Sequence, residues 1–335
     1  MSSRIAQVAE YAGVSEATVS RVVNNRPGVS DATRDAVLTA LDVLGYERPA
    51  HLRGRVNRLV GLVVPEMANP VFPALTEVIG SRLTQLGFTP VLCTGTVSGA
   101  QESDFTEVLL DHEVAGAVFI SGQHSVQNAD HSHYARLLKR RLPVVAVNGV
   151  VPQLEISCVS TDDTLAVDLA VRHLSSLGHR RVGLVVGELE HVPAARKAAA
   201  FHRAMSEHCG NEGVVISTSY SLQGGAATVE EIVAKHVTGV VCGSDVLALG
   251  VIRAAHRMRL DVPADLSVIG YDDSAFMPLA NPPLTTVRQP LDELGRAAVA
   301  MLVKQIEGQR APITEVLFEP ELVMRSSTGA APQDC

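Results

Sequence analysis

The sequence predicts a small all-α head joined to a larger α/β body of two lobes, each lobe built on a parallel sheet. Three observations carry this. From residue 59 onward, short Val/Leu-rich runs alternate with helix-length amphipathic stretches. Within that region Val60-Gly-Leu-Val-Val64 recurs letter for letter as Val182-Gly-Leu-Val-Val186, an offset of 122, and Val114-Ala-Gly-Ala-Val118 is echoed by Val237-Thr-Gly-Val-Val241, an offset of 123. Ahead of it lie three short helical segments with turn residues between them.

In the head, Ile5, Val8, Ala9 and Ala12 follow helical spacing and end at Gly13. Ser15 is a good N-cap for a second helix carrying Val19, Val22 and Val23. Asn24-Asn25-Arg26-Pro27-Gly28 is a turn cluster. Ser30-Asp31 caps a third helix with Ala36, Val37, Ala40, Leu41 and Leu44, stopped by Gly45. A glycine-containing turn between the first two of three short helices is helix-turn-helix anatomy. So small a core is marginal, and such a head leans on a partner or on DNA for order.

In the body, strands are expected at Leu59–Val64, Pro90–Cys93, Ala117–Ile120, Val144–Val147, Val182–Val186, Val214–Ser217, Val240–Cys242 and Val268–Tyr271. Helices are expected at 73–86, 101–111, 134–141, 164–177, 194–208, 225–236 and 245–259. Apolar strands flanked by helices read as parallel sheets covered on both faces. The segment Leu284–Arg310 reads as a strand, a turn and a helix that crosses back to the first lobe. The expected division is a head at 1–47, a linker at 48–58 and a body at 59–335. Its first lobe takes 59–160 plus 287–312, and its second 161–286 plus 313–328. Ligand-facing residues belong at the carboxyl ends of the strands, so two facing lobes form a cleft for a small polar molecule.

Composition narrows the function classes. With 335 residues, 46% hydrophobic, 19% charged and a mean hydropathy of +0.18, the chain can bury two cores, which excludes wholesale disorder. No apolar run is long enough for a transmembrane helix, and no apolar region follows Met1 as a signal peptide requires. Five scattered cysteines without a C-x-x-C fit a reducing cytoplasm, with neither a disulfide framework nor a zinc cluster. There is no H-E-x-x-H, no G-x-S-x-G and no G-x-x-x-x-G-K-[ST], so neither an enzyme nor a metal or cofactor is expected. The net charge of −8 hides a division. Residues 1–58 carry eight arginines against six acids, and the remainder nets −10. A mildly basic head on an acidic body suits nucleic-acid binding, although a solvated face gives the same pattern.

The second helix of a helix-turn-helix enters the major groove. Its exposed positions are expected to be Ser15, Glu16, Ala17, Ser20, Arg21 and Asn24. Arg21 can donate a fork to guanine O6 and N7. Ser15, Ser20, Asn24, Ser30 and Thr33 suit phosphate oxygens. Glu16 can accept from cytosine N4, and Ala17 offers a methyl contact. Taken alone, the same helices also fit a protein–protein module.

Several motifs resemble the lactose-repressor (LacI) family of transcription regulators: Val8-Ala-Glu-Tyr-Ala-Gly-Val-Ser15, Thr18-Val-Ser-Arg-Val-Val-Asn24, Val29-Ser30 and Leu44-Gly-Tyr46 in the head. The body adds Val60-Gly-Leu-Val-Val-Pro65, Asn69-Pro70, His173-Leu174, Leu177-Gly-His179, Ser244-Asp245, Ala248-Leu-Gly250, Gly270-Tyr-Asp-Asp273 and Pro283-Leu-Thr-Thr286. The resemblance implies a homodimeric or tetrameric repressor on a pseudo-palindromic double-stranded operator, with a periplasmic-binding-protein-like effector domain. Thr18 and Tyr46 join the DNA-contacting set on this basis. So does Leu52, as a minor-groove wedge in a hinge helix with Arg48, Arg53 and Arg55 supplying charge. The stretch from Tyr46 to Val60 is about three residues shorter than the usual family pattern, and a plain tether is the alternative. A short Ser/Gly/Ala-rich tail without heptads disfavours a coiled-coil tetramer module.

The resemblance also implies an effector site in which Lys197, Ser244 and Asp272 stand where the family often has Arg, Asn and Asp. Lys for Arg loses the bidentate fork and Ser for Asn loses an amide. Asn69, Phe72 and Asn148 are expected on the first lobe, with His191 as an addition. The alternatives are a helix-capping turn aspartate near Ser274 for Asp272, and core packing for Phe72. The effector is expected to be a polyhydroxylated molecule such as a sugar, with Lys197 and His191 leaving a phosphorylated or acidic one open. Two other functions fit the lobes: a sugar-binding transport protein, against which the missing signal peptide and the arginine-bearing head argue, and an enzyme, for which no catalytic motif appears. The adjacent pairs Asp162-Asp163 and Asp272-Asp273 read as turns and caps.

Overall fold

A computed structural model describes residues 4–24, 26, 28–46, 58–95, 101–309 and 313–332. The chain divides into two compact units, residues 1–58 and 59–335.

The first unit holds α1 (Arg4–Ala12), α2 (Glu16–Val23) and α3 (Asp31–Val43). Gly13, at a φ of 65°, makes the turn between the first two in a conformation that side chains disfavour. Ser15 then caps α2, its Oγ accepting from the Thr18 N–H at 3.2 Å. Val8, Ala9, Val19, Val22, Val37, Ala40 and Leu41 form a small core. Ile5 and Ala36, expected in that core, are exposed. Each helix buries one narrow stripe, and Ile5 sits in the first turn of α1 while Ala36 lies off the α3 stripe of 37, 40 and 41. The linker at 48–57, with Leu52 and its arginines, lies outside the described residues.

The second unit contains two sheets, each six-stranded among the described residues. The first is built from β1 (Arg58–Val64), β2 (Phe88–Thr94), β3 (Gly116–Ile120), β4 (Val144–Val147), β5 (Ser157–Thr161) and β11 (Glu315–Phe318), in the order 11-5-4-3-1-2. The second uses β6 (Val182–Val186), β7 (Val214–Ser217), β8 (Gly239–Cys242), β9 (Ser267–Asp272), β10 (Thr285–Arg288) and β12 (Glu321–Val323), in the order 12-10-9-8-6-7. The two repeated sequence pairs prove equivalent. β1 pairs with β3 from Val60↔Gly116, and β6 pairs with β8 from Val182↔Gly239, both parallel.

Helices cover both faces. In the first lobe these are α4 (Val71–Gln85), α5 (Glu102–Asp111), α6 (Ser132–Lys139) and α12 (Leu291–Ile306). In the second they are α7 (Asp163–Ser176), α8 (Val192–Cys209), α9 (Leu222–Ala227), α10 (Val229–Ala234) and α11 (Asp245–Arg257). Each lobe therefore has two cores, one on each side of its sheet. The Leu177-Gly-His179 motif has a structural role. Buried His179 spans Thr238 Oγ1 at 2.9 Å, Ser267 Oγ at 3.0 Å and the Gly329 carbonyl at 3.1 Å, stitching three segments together.

Four expectations need correction. The single helix at 225–236 is two short ones broken at Thr228, whose hydroxyl donates to the Gly225 carbonyl at 2.8 Å. Strand β5 was not anticipated, because Ser157-Cys-Val-Ser-Thr161 looks too polar for a fully buried strand. Its hydroxyls are satisfied internally: Ser160 Oγ donates to Glu315 and accepts from Gly149, and Thr161 donates to Gln289. The second sheet is not wholly parallel, since its edge strand β12 runs antiparallel to β10. Finally, residues 313–328 do not all belong to the second lobe. Strand β11 pairs with β5 from Glu315↔Cys158, and β10 extends to Arg288 in the second sheet. The chain thus crosses between lobes after Thr161, after Arg288 and after Phe318.

Candidate effector cleft and DNA-reading face

In a sheet of this order a ligand site falls where the winding reverses, beyond the carboxyl ends of the strands. That is between β1 and β3 in one lobe and between β6 and β8 in the other. A cavity of about 590 Å³ lies there between the lobes. It is walled by Pro65, Glu66 and Asn69 after β1 and by Ser121, Gly122 and Gln123 after β3. From the second lobe come His191, Pro193 and Lys197 before and on α8, and Gly243 and Ser244 after β8.

All seven side chains expected at the effector site line this cavity. Buried Asn69 accepts weakly from the Val71 N–H (3.4 Å) at the start of α4. Half-buried Phe72 borders the cavity and also packs on the first-lobe core. Asn148, at a φ of 68°, donates from Nδ2 to Ser121 Oγ at 2.9 Å. His191 precedes α8 and forms a backbone bridge to Val126 across the cleft mouth. Ser244 caps α11, its Oγ accepting from the Leu247 N–H at 3.2 Å.

Asp272 is the most telling of the seven. It is buried at the end of β9, with a φ of 121° that non-glycine residues seldom adopt. Its Oδ1 accepts from Gln289 Nε2 at 2.6 Å, and its Oδ2 has no hydrogen-bond partner among the described residues. Burial, and then the nearby Asp245, push its pKa well above the carboxylate range. It does not cap Ser274. That role belongs to Asp245, whose Oδ2 accepts from the Ser274 N–H (2.7 Å) and hydroxyl (2.9 Å).

Lys197 differs from expectation. Its ammonium is buried, paired with Asp163 and held 4.1 Å from the Tyr271 ring centroid. Tyr271 in turn donates to Asp163 at 3.0 Å. Burial opposes the lysine charge, but Asp163, Tyr220 and Asp272 together outweigh it and raise the pKa. Asp163, Tyr220, Tyr271, Gln289, Phe105 and Glu102 also line the cavity, and the sequence reading did not place them there. For Asp163 a signal existed, since it stands in one of the two adjacent acid pairs. Within Asp162-Asp163 the first residue caps α7, accepting from Thr164 and Leu165, while the second turns to the cleft. Within Asp272-Asp273 the first faces the cleft, while the second is held by Arg288 and Arg325.

The lobes are also tied beside the cleft. Arg196 of α8 forks onto Glu315 of β11 with N···O distances of 2.6 and 2.5 Å, and Ser160 donates to the same carboxylate. Gln289 links Thr161 of the first lobe to Asp272 of the second.

In the head, α2 turns Val19 and Val22 inward and leaves Glu16, Ala17, Arg21 and Asn24 exposed, with Thr18 and Ser20 partly so. Arg21 follows Ala17 by one turn and precedes Asn24 by three residues, so the three share a face. Asn24 is partly engaged as the C-terminal cap, donating to the Ser20 carbonyl at 2.8 Å. The Ser30 hydroxyl sits within 2.8 Å of Thr33 Oγ1 and accepts from the Thr33 N–H at 3.2 Å, which places both at the start of α3. Tyr46 donates its hydroxyl to Gln7, tying the end of the head to α1.

A three-helix reading head and a two-lobed cleft on one chain define a ligand-responsive DNA-binding regulator. Comparison with known proteins agrees. The family model for bacterial regulatory proteins of the lacI family matches residues 4–49, and that for a periplasmic binding protein-like domain matches residues 171–328. The HTH-type transcriptional regulator MalR of Streptomyces coelicolor is 48% identical over 338 residues, covering 99% of this chain and 98% of that one. GalR of Escherichia coli is 30% identical over 330 residues, covering 96% and 95%. Among solved structures, the lac repressor dimer bound to operator and the anti-inducer ONPF matches with a TM-score of 0.73 at 30% identity, covering 96% of this chain and 98% of that one. A complex of the regulator CelR with cellobiose matches with a TM-score of 0.73 at 29% identity, covering 97% and 100%. The chain belongs to the LacI family of bacterial transcriptional regulators; it is a DNA-binding regulator and not an enzyme. No helix among the described residues is long and apolar enough to cross a membrane.

Proposed function

We propose that this regulator is a cytoplasmic homodimeric repressor whose grip on a pseudo-palindromic operator is set by a sugar or sugar derivative held between the lobes of residues 59–335. The observation that carries the effector reading is Asp272. Asp272 lines the cavity, and a buried carboxyl oxygen without a partner among the described residues costs stability unless a ligand completes it. A sugar supplies hydroxyl donors for such an oxygen, and the tyrosines and Phe72 on the walls suit the apolar face of a pyranose. The similar regulator CelR, solved in complex with cellobiose, supports the same class.

On DNA, α2 enters the major groove with Arg21 reading guanine and Ala17 beside it. Ser15, Ser20, Asn24, Ser30 and Thr33 contact phosphates, and helix starts at Ser15 and Ser30 add backbone N–H donors. Effector and operator affinities are then linked through the lobe arrangement, with a coupling of about 1–3 kcal/mol. The test is fluorescence anisotropy of the full chain on its own promoter DNA, with and without a sugar panel. The expected result is specific binding that one sugar shifts by roughly 5- to 150-fold. Absence of any preferred promoter fragment, with or without sugars, refutes the reading.

A further inference from the structure

The charge of the cleft wall was not legible in the sequence. An anionic effector would depend on Lys197, yet that ammonium is already paired with Asp163 and stacked on Tyr271. The adjacent Arg196 is forked onto Glu315. Among the described charged side chains lining the cavity, four carboxylates (Glu66, Glu102, Asp163, Asp272) stand against the single Lys197, a formal charge of −3 with His191 neutral. If Asp272 holds a proton, the charge is −2. His191 itself lies 3.9 Å from Glu188.

Helix N-termini would ordinarily compensate, since they attract anions. Of the five α-helices whose N-terminal turns border the cavity, three carry the protein's own acid in the first turn, Glu102 on α5, Asp163 on α7 and Asp245 on α11, while α4 and α8 carry none. The Glu102 carboxylate is moreover fixed in place. It accepts from Tyr134, from the Gln123 N–H at 3.0 Å, and contacts His133 Nε2 at 3.1 Å. It cannot swing away from an incoming anion without breaking that set.

We propose that the cleft selects an uncharged polyhydroxylated effector and rejects phosphorylated and carboxylated ones, with Glu66 and Glu102 as the residues that discriminate. The inference rests on reading the cleft as the effector site. A phosphate monoester brings about −1.5 to −2 charges, and in a partly desolvated cavity of like sign it is repelled far more strongly than in water. Neutral hydroxyls instead donate charge-assisted hydrogen bonds to the same carboxylates. Rejection of the wrong ligand is thus built in as repulsion. Lys197 acts as a strut that holds Asp163 and Tyr271 in the wall.

The test uses the full chain and measures thermal stabilisation and calorimetric affinity. The probes are ribose, glucose and cellobiose, beside ribose 5-phosphate, glucose 6-phosphate and gluconate. Stabilisation by a neutral sugar, with its charged counterpart at least about tenfold weaker, is the expected result. A charged sugar binding as well as its neutral parent overturns the inference while leaving the cleft reading intact. If no probe of either kind binds, the sugar reading falls and this inference with it. Glu66→Gln and, separately, Glu66→Gln with Glu102→Gln should narrow the neutral-to-charged ratio at least threefold. An unchanged ratio in both removes these two residues from the discrimination.

Discussion

At the scale of single residues, the assignment turns on Arg21 and Asp272. Arg21 is exposed on the reading helix and its fork matches guanine O6 and N7. Arg21→Ala is expected to weaken specific operator binding by about 1–3 kcal/mol, roughly 5- to 150-fold, while leaving effector binding as it was. Anisotropy on specific and scrambled DNA checks this, and an unchanged ratio between the two would remove Arg21 from the base-reading set. Asp272→Asn retains the shape of the side chain but alters its charge and donor pattern. It should abolish the effector's influence on DNA binding while preserving operator affinity without effector, and normal induction would take Asp272 out of the site. Asn69, Phe72 and Asn148 were legible because strand ends in a β/α pattern face the cleft, whereas Lys197, Ser244 and Asp272 were legible only through the family resemblance. Gln289 was not legible, since only the return of the chain after β10 brings it between Asp272 and Thr161.

At the scale of elements, α9 and α11 pack backbone to backbone. A methyl group on Gly250 would fall well inside contact distance of the Leu222 carbonyl oxygen, and one on Gly225 would meet that of Leu247. Neither obstacle is a side chain that can turn away. Gly250→Ala should therefore destabilise the body by about 1–3 kcal/mol through overpacking, measured as a lower midpoint in urea. A midpoint equal to that of the parent would mean that the helices part at little cost. The motif Ala248-Leu-Gly250 drew attention in the sequence by resemblance alone; its reason is this close approach. The short polar strand β5 was illegible for the opposite reason. Its hydroxyls find partners on Glu315, Gly149 and Gln289, and two of these three are more than 120 residues away.

At the scale of the whole molecule, protons and lobe contacts are linked. Burial lowers the pKa of His124, His173 and His179, so the folded protein resists protonating them. The unfolded chain takes up those protons as pH falls through about 6.5, and stability declines with it. Asp245, pushed up to about 6 by burial, takes a proton in the folded state over part of the same range and offsets some of the loss. A second loss follows below about 4.5, where burial of Glu102 and Glu315 is outweighed by their hydrogen bonds, holding both carboxyls low until acid breaks them. For Glu315 this opens the Arg196 fork between the lobes. The expected observation is a melting temperature lower at pH 5.5 than at 7.5 and a steeper fall below 4.5. A higher value at 5.5 would mean that Asp245 and Asp272 dominate the linkage. By itself the sequence determined the three-helix head, the duplicated β/α lobes and a cleft at the carboxyl ends of their strands, because those follow from local periodicity and from a repeat. Tertiary structure alone decided that β11 returns to the first sheet, that Lys197 is paired within the wall, and that an Asp272 oxygen lacks a partner among the described residues. Those outcomes depend on which distant groups meet across the lobes, and no spacing along a chain encodes the partner of a buried charge.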